Sequence, residues 1–136
     1  MKLYGLVGLV IILSAEALCF LKIEPVATFF TAIVWTGYIL LIDAITYNRT
    51  GKSLIMTTPS FFFAMLPLSI IYWLVFEWYN LFTGSWEYIG LPELLTVRWF
   101  GYAWAFATIF PGIFETAMLL ESFEFFKNSK TISSPI

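Results

Sequence analysis

Four long runs of apolar residues cover most of the chain, and short polar stretches separate them. Because roughly 20 apolar residues are needed to cross about 30 Å of hydrocarbon as a helix, each run is long enough to span a membrane. The predicted spans are residues 3–21, 26–46, 60–81 and 98–122. The pattern therefore predicts an all-α integral membrane protein, a four-helix transmembrane bundle that forms a single domain over residues 1–127. Residues 128–136 are predicted to form a polar C-terminal tail.

Prolines mark the ends and the interruptions of these runs. Pro25 and the polar residues around it predict a tight hairpin between the first two spans. The third span is expected to begin near Pro59, beside hydroxyl groups that can cap a helix. Pro67 and Pro111 lie inside the third and fourth spans, so we expect kinks there. The longest connection, residues 82–97, combines aromatic, glycine and acidic residues, a mixture typical of the membrane surface.

The basic residues that flank the spans are divided unequally between the two sides of the predicted membrane. Five are expected on the side of both termini: Lys2, Arg49, Lys52, Lys127 and Lys130. Only Lys22 and Arg98 are expected on the other side. Since basic residues concentrate in the cytoplasmic loops of multi-pass proteins, both termini are predicted to face the cytoplasm. The expected location is a prokaryotic inner (plasma) membrane.

One short motif hints at an internal repeat. Residues 35–38 read Trp-Thr-Gly-Tyr in the second span, and residues 99–102 read Trp-Phe-Gly-Tyr in the fourth, and both spans run in the same direction. Two helical hairpins related by an axis along the membrane normal would give this pattern. Coincidence is the alternative in a chain with 21% aromatic residues, and the motif does not decide between them.

Composition supports the membrane prediction and excludes several kinds of partner. Hydrophobic residues make up 60% of the 136 residues and charged residues 12%, whereas a soluble domain has about 25% charged residues. The chain has no histidine and its only cysteine is Cys19, so the usual ligand sets for haem, zinc and iron–sulfur clusters are missing. We expect no metal and no cofactor. The seven basic residues are scattered, which excludes nucleic acid as a partner.

Acidic residues within or near the spans are the strongest functional candidates, because a charge in hydrocarbon costs at least about 2.5 kcal/mol. Glu16 and Glu77 are expected near the outer side, where Arg98 is the nearest cation. One interpretation is an ion pair that joins Arg98 to either glutamate. The other is a ligand-binding pocket formed by these three residues and Asn80, under the connection that carries Trp86. Simple exposure at the interface is a third possibility.

Two further acids are expected nearer the inner side. Glu115 lies four residues after Pro111, which frees the carbonyl of Ala107 and makes the backbone there polar. This carboxyl group is a candidate proton site, or a carboxylic acid kept neutral by its surroundings. Asp43 is predicted to be shallower and to reach the headgroup region near Arg49.

The favoured function is a non-catalytic structural or accessory subunit that packs against membrane lipids or pigments, against other membrane proteins, or against further copies of the chain. The small size and the missing catalytic ligands support it. A small transporter that uses several acids along a path is the last alternative, because it would need more polar residues than the spans contain.

An enzyme that acts on an apolar lipid or polyene is the main alternative, and its candidate catalytic residues are Glu77, Glu93 and Glu115. The stretch Gly-Ser-Trp-Glu-Tyr at 84–88, followed by Pro-Glu at 92–93 and preceded by Glu77, resembles the small membrane subunits of heterodimeric lycopene cyclases. The resemblance covers about a fifth of the chain. It implies that Glu77 and Glu93 would protonate a double bond. The family's motif carries paired acids after the proline, whereas here Leu94 follows Glu93.

Overall fold

The computed structural model of the protein describes residues 2–127, and that part of the chain is all-helical, without strands. The helices are α1 (Leu3–Phe20), α2 (Phe30–Thr50), α3 (Leu54–Thr57), α4 (Pro59–Thr83), α5 (Leu95–Glu121) and α6 (Glu124–Lys127). Four of them, α1, α2, α4 and α5, are long and apolar enough to cross a membrane, which confirms that part of the prediction. The predicted tail lies outside the described residues.

The four long helices pack in series rather than around one common core. The extensive contacts join α1 to α2, α2 to α5, and α5 to α4. The helices α1 and α2 form one helical hairpin, and α4 and α5 form a second. The two hairpins meet where α2 lies against α5. In the most apolar stretch of α2, 39% of the residues are buried, against 17% in α1 and 11% in α4. The two edge helices therefore leave most of their apolar surface uncovered.

The ends of the helices form two groups, which we call the loop end and the termini end. The loop end carries residues 21–29, which connect α1 to α2, and residues 84–94, which connect α4 to α5. The termini end carries the first turn of α1, the last turns of α2 and α5, and the short helix α3. Contacts across this end confirm the grouping, because Arg49 Nε donates a hydrogen bond to Ser122 Oγ at 2.9 Å.

Glycines allow the backbones of α1 and α2 to approach closely. A Cβ atom added at Gly8 would lie 2.5 Å from the carbonyl oxygen of Gly37, so only glycine fits there. Gly101, the glycine of the second Trp-x-Gly-Tyr motif, faces a different kind of neighbour. Its added Cβ would lie 3.3 Å from the ring of Phe29, just before α2. The two motif glycines therefore contact non-equivalent parts of the fold.

The structure departs from the predicted spans at the start of α2 and in the short helix α3. The second span was expected from residue 26, but α2 begins at Phe30, because residues before it form turns in which the Thr28 N–H donates to Glu24 Oε2 at 3.1 Å. The short helix α3 was not predicted at all. Ser53 caps it, since its hydroxyl accepts a hydrogen bond from the backbone N–H of Met56 at 3.3 Å.

The α4–α5 contact contains a polar link close to the predicted kink. The hydroxyl of Ser69 donates to the carbonyl oxygen of Phe106 at 2.5 Å and accepts from the backbone N–H of Phe110 at 3.0 Å. In a regular α-helix these two backbone groups would bond to each other. A side chain from α4 therefore bridges two backbone groups of α5, directly before Pro111.

Candidate functional site

Glu77 is the centre of a hydrogen-bond cluster at the loop end. Its Oε1 atom accepts from Trp73 Nε1 at 2.9 Å, from Trp86 Nε1 at 3.3 Å and from the Tyr88 hydroxyl at 2.5 Å. Two of these three donors belong to residues 84–94, which we call the roof loop. Hydrogen bonds to a carboxylate are stronger than those between neutral groups, so Glu77 holds the roof loop against α4.

Burial, and next the hydrogen bond to Glu77, raise the pKa of Tyr88 above the ordinary value of 10.0. Both causes favour the neutral phenol, because an ionised phenolate would lose solvent and would face a carboxylate. Tyr88 therefore remains a hydrogen-bond donor to Glu77 over a wider pH range than an exposed tyrosine would.

Asn80 gives the roof loop a second attachment, one turn further along α4. Its Nδ2 atom donates to the carbonyl oxygen of Trp86 at 2.8 Å, and its Oδ1 atom accepts from the backbone N–H of Trp86 at 3.1 Å. Gly84, in the left-handed conformation with φ 57°, ends α4 and turns the chain back. The structure therefore brings together Glu77, Asn80 and Trp86, three of the predicted ligand-binding residues.

The other two predicted ligand-binding residues lie apart from this cluster. Arg98 donates through Nε and Nη2 to the carbonyl oxygen of Pro92, at 3.2 and 2.8 Å, and it is not among the hydrogen-bond partners of Glu77. Glu16 is exposed on α1, an edge helix. Glu93 is exposed on the roof loop. Of these three residues, Arg98 is the one that stabilises the backbone of the roof loop, through its hydrogen bonds to Pro92.

A groove of about 300 Å³ lies at the loop end, between the start of α2, the start of α5 and the roof loop. Arg98, Tyr88 and Tyr102 supply polar groups to a lining that is otherwise mostly apolar. None of the lining residues is acidic, so neither Glu77 nor Glu93 is placed to act on a molecule bound there.

Asp43 is the centre of a second cluster, toward the termini end. It is 0% exposed, whereas the sequence predicted a shallow residue that reaches the headgroups. Its carboxylate accepts from the Tyr4 hydroxyl at 2.5 Å, the Ser53 hydroxyl at 3.0 Å and the backbone N–H of Ile55 at 2.8 Å. Asp43 therefore joins α1, α2 and α3.

Glu115 completes this second cluster from α5. It is also 0% exposed, and its carboxyl group lies within hydrogen-bonding reach of Asp43. The backbone N–H of Leu54 faces its oxygens without forming a regular hydrogen bond, so both oxygens are unsatisfied within residues 2–127. Thr46, one turn after Asp43 on α2, has a buried hydroxyl that is also unpartnered in this part of the chain. The two acids that the sequence placed in one layer are therefore direct neighbours.

Sequence reasoning missed Tyr4 and Ser53 as members of this cluster. Neither residue stands out by type, and the contact depends on the close approach of α1 to α2 and on the turn before α3. Among the described residues, no group of three or more acidic, cysteine or histidine side chains is arranged to hold a metal ion. Carboxyl groups and hydroxyls are thus the chemistry that the cluster offers.

In comparisons with protein-family models, with curated proteins and with solved structures, no family, relative or structure matches the chain. Function is therefore inferred from the sequence and from the geometry of the two clusters.

Proposed function

We propose that the chain is a multi-pass integral membrane protein of a prokaryotic inner membrane that serves as a non-catalytic subunit of a larger membrane assembly. Four helices of sufficient length and apolarity support the membrane location. The distribution of charge supports an orientation with both termini in the cytoplasm. Among residues 2–127, Lys2, Arg49 and Lys52 lie at the termini end, and Lys22 and Arg98 lie at the loop end.

The series arrangement of the helices is the observation that carries the proposal. In a closed four-helix bundle each helix packs against two neighbours. Here α1 packs extensively against α2 alone among the long helices, and α4 against α5 alone. On α4, large side chains are exposed along the helix: Phe61, Phe63, Ile71, Val75 and Trp78 are each at least 50% exposed. Edge helices of this kind are suited to pack against lipids and against another membrane protein.

The use of the acidic residues also favours a subunit over an enzyme. Glu77 and Asp43 each accept three hydrogen bonds from the protein itself, so both act as links between segments. An acid that protonates an apolar substrate must face the cavity that holds it. The groove at the loop end has no acidic lining residue.

In space the long helices follow the order α1, α2, α5, α4. Two helical hairpins related by an axis along the membrane normal would have this order. This arrangement supports a relation between the hairpins. The Trp-x-Gly-Tyr motif does not, because its two glycines have different neighbours.

Site-specific photo-crosslinking in the native membrane tests the proposal. A photoreactive phenylalanine analogue is placed at Phe63 or Ile71 on α4, or at Val10 on α1, all more than half exposed. Ile89 on the roof loop, at 86% exposed, serves as a control position away from the helix faces. We expect a protein adduct of defined mass from one or both edge helices and none from Ile89. Lipid adducts alone, at every edge position, would contradict the subunit proposal.

A further inference from the structure

The geometry points to a proton-binding site formed by Asp43 and Glu115, in which Glu115 holds a proton and donates it in a hydrogen bond to ionised Asp43. The site lies inside the fold, where α2 meets α5. It is independent of the proposed subunit function, since it depends on no partner protein. Its ligand is a single proton taken from water, and the only covalent bond that forms or breaks is the O–H bond of the Glu115 carboxyl group.

Asp43 is the member of the pair that is suited to carry the charge. Three donors from two other elements point at its oxygens: the hydroxyls of Tyr4 and Ser53 and the backbone N–H of Ile55. A carboxylate that accepts several hydrogen bonds is stabilised in its ionised form. With three donors already in place, the ionised state of Asp43 fits its surroundings without rearrangement.

Glu115 is the member suited to remain neutral. Both of its oxygens are buried and form no regular hydrogen bond within residues 2–127, although the backbone N–H of Leu54 lies near them. An ionised Glu115 would therefore be a buried charge with one weak donor nearby, placed beside a second negative charge. A protonated Glu115 has an O–H group, and the nearby Asp43 carboxylate is an acceptor for it. One proton thus satisfies both carboxyl groups.

Other titratable and charged groups at this end do not offer a substitute for the proton. Tyr4 faces the pair from α1, but its hydroxyl already donates to Asp43. Arg49 donates to Ser122 and stacks on the ring of Phe123, 4.1 Å from its centroid. Lys2 lies over the ring of Tyr47. From α3, the groups that face Asp43 are a hydroxyl and a backbone N–H, both neutral.

Loss of the proton has a structural consequence for α3. Two adjacent negative charges would repel each other, and the movement that separates them would disturb the carboxylate that anchors α3 and the first turn of α1. The site therefore couples proton binding to the packing of the termini end.

Infrared spectroscopy of the purified protein tests the inference directly, because a protonated carboxyl group has a carbonyl stretch that a carboxylate lacks. We expect this band near neutral pH in the wild type and its loss in Glu115→Gln. Glu121→Gln is the matched control, since Glu121 is exposed and lies at the end of the same helix. The band should persist in the control. A wild-type spectrum without such a band near neutral pH overturns the inference, even if the variant fails to fold.

The frequency of the same band tests the contact between the two acids. In Asp43→Asn the band should persist near neutral pH and shift in frequency, because the O–H group of Glu115 then faces a neutral amide instead of a carboxylate. An unchanged frequency in Asp43→Asn would show that the two groups do not interact and would overturn the pair. Saturable stabilisation of the wild type by Na⁺ or Ca²⁺, absent in Glu115→Gln, would assign the site to a metal cation instead and would also overturn it.

Discussion

The close approach of α1 and α2 leads to a sharp prediction about Gly8. In Gly8→Ala the new Cβ would lie 2.5 Å from the carbonyl oxygen of Gly37 and 2.8 Å from the backbone nitrogen of Leu41. Both neighbours are backbone atoms, so no side chain can rotate away. The two helices must separate by about 1 Å before these atoms reach ordinary van der Waals distance.

The expected cost follows from two opposing effects. Forcing an extra methyl group into a packed contact costs about 1–3 kcal/mol. The higher helix propensity of alanine returns up to about 1 kcal/mol. We therefore expect Gly8→Ala to lower the free energy of unfolding by about 1–2 kcal/mol. The hydroxyl of Tyr4, one turn earlier on α1, should also lose its hydrogen bond to Asp43 when the helices separate.

The assay is unfolding of the detergent-solubilised protein, followed by circular dichroism as a denaturing detergent is added. Gly101→Ala is the matched control, because its new Cβ meets only the ring of Phe29, 3.3 Å away, and that side chain can move. The control should be as stable as the wild type or slightly more stable. If Gly8→Ala proves as stable as Gly101→Ala, the close backbone contact between α1 and α2 is refuted.

Three further predictions concern the polar links of the fold. Ser69→Ala removes a hydrogen-bond partner from two backbone groups of α5 and should lower the free energy of unfolding by about 1–3 kcal/mol, whereas Ser60→Ala, at an exposed position, should change it little. Glu77→Gln should speed amide hydrogen exchange in the roof loop without changing exchange in the long helices. The control Glu87→Gln, at an exposed position, should leave the loop protected. Equal exchange in both variants would contradict the role of Glu77. The raised pKa of Tyr88 means that its contribution to loop stability is complete below the ordinary value of 10.0 and is lost as the pH rises through the raised value. Roof-loop exchange in the wild type should therefore accelerate at high pH by more than the intrinsic base-catalysed rise in exchange rate, and Tyr88→Phe should remove the excess.

The long helices could be predicted because hydropathy alone identifies them. The pairing of α1 with α2 and of α4 with α5 joins consecutive long helices, whereas the contact of α2 with α5 does not. The helix α3 could not be predicted in the same way. Four residues are too few for a periodic pattern, and the helix depends on Ser53 and on the distant Asp43, whose carboxylate accepts the Ile55 N–H. The start of α2 was placed too early because Pro25 can begin a helix, whereas here the residues around it form turns.

The candidate sites show the same limit. Glu77, Asn80 and Trp86 were expected together because they lie close in sequence, on either side of one helix end. The partner of Arg98 was expected to be a carboxylate, since a sequence does not reveal which backbone carbonyls are available as acceptors. The contact between Asp43 and Glu115 depends on the register of α2 against α5, and no local pattern encodes that register.

The hydroxyl of Ser69 also has a consequence for the order of assembly. Inserted alone into a bilayer, α5 would lack the hydroxyl that contacts the Phe106 carbonyl and the Phe110 N–H, in a solvent that can supply no substitute. These polar contacts form only when α4 is beside α5. We therefore expect these two helices to leave the insertion machinery as a unit, and a chain cut between them to reassemble poorly.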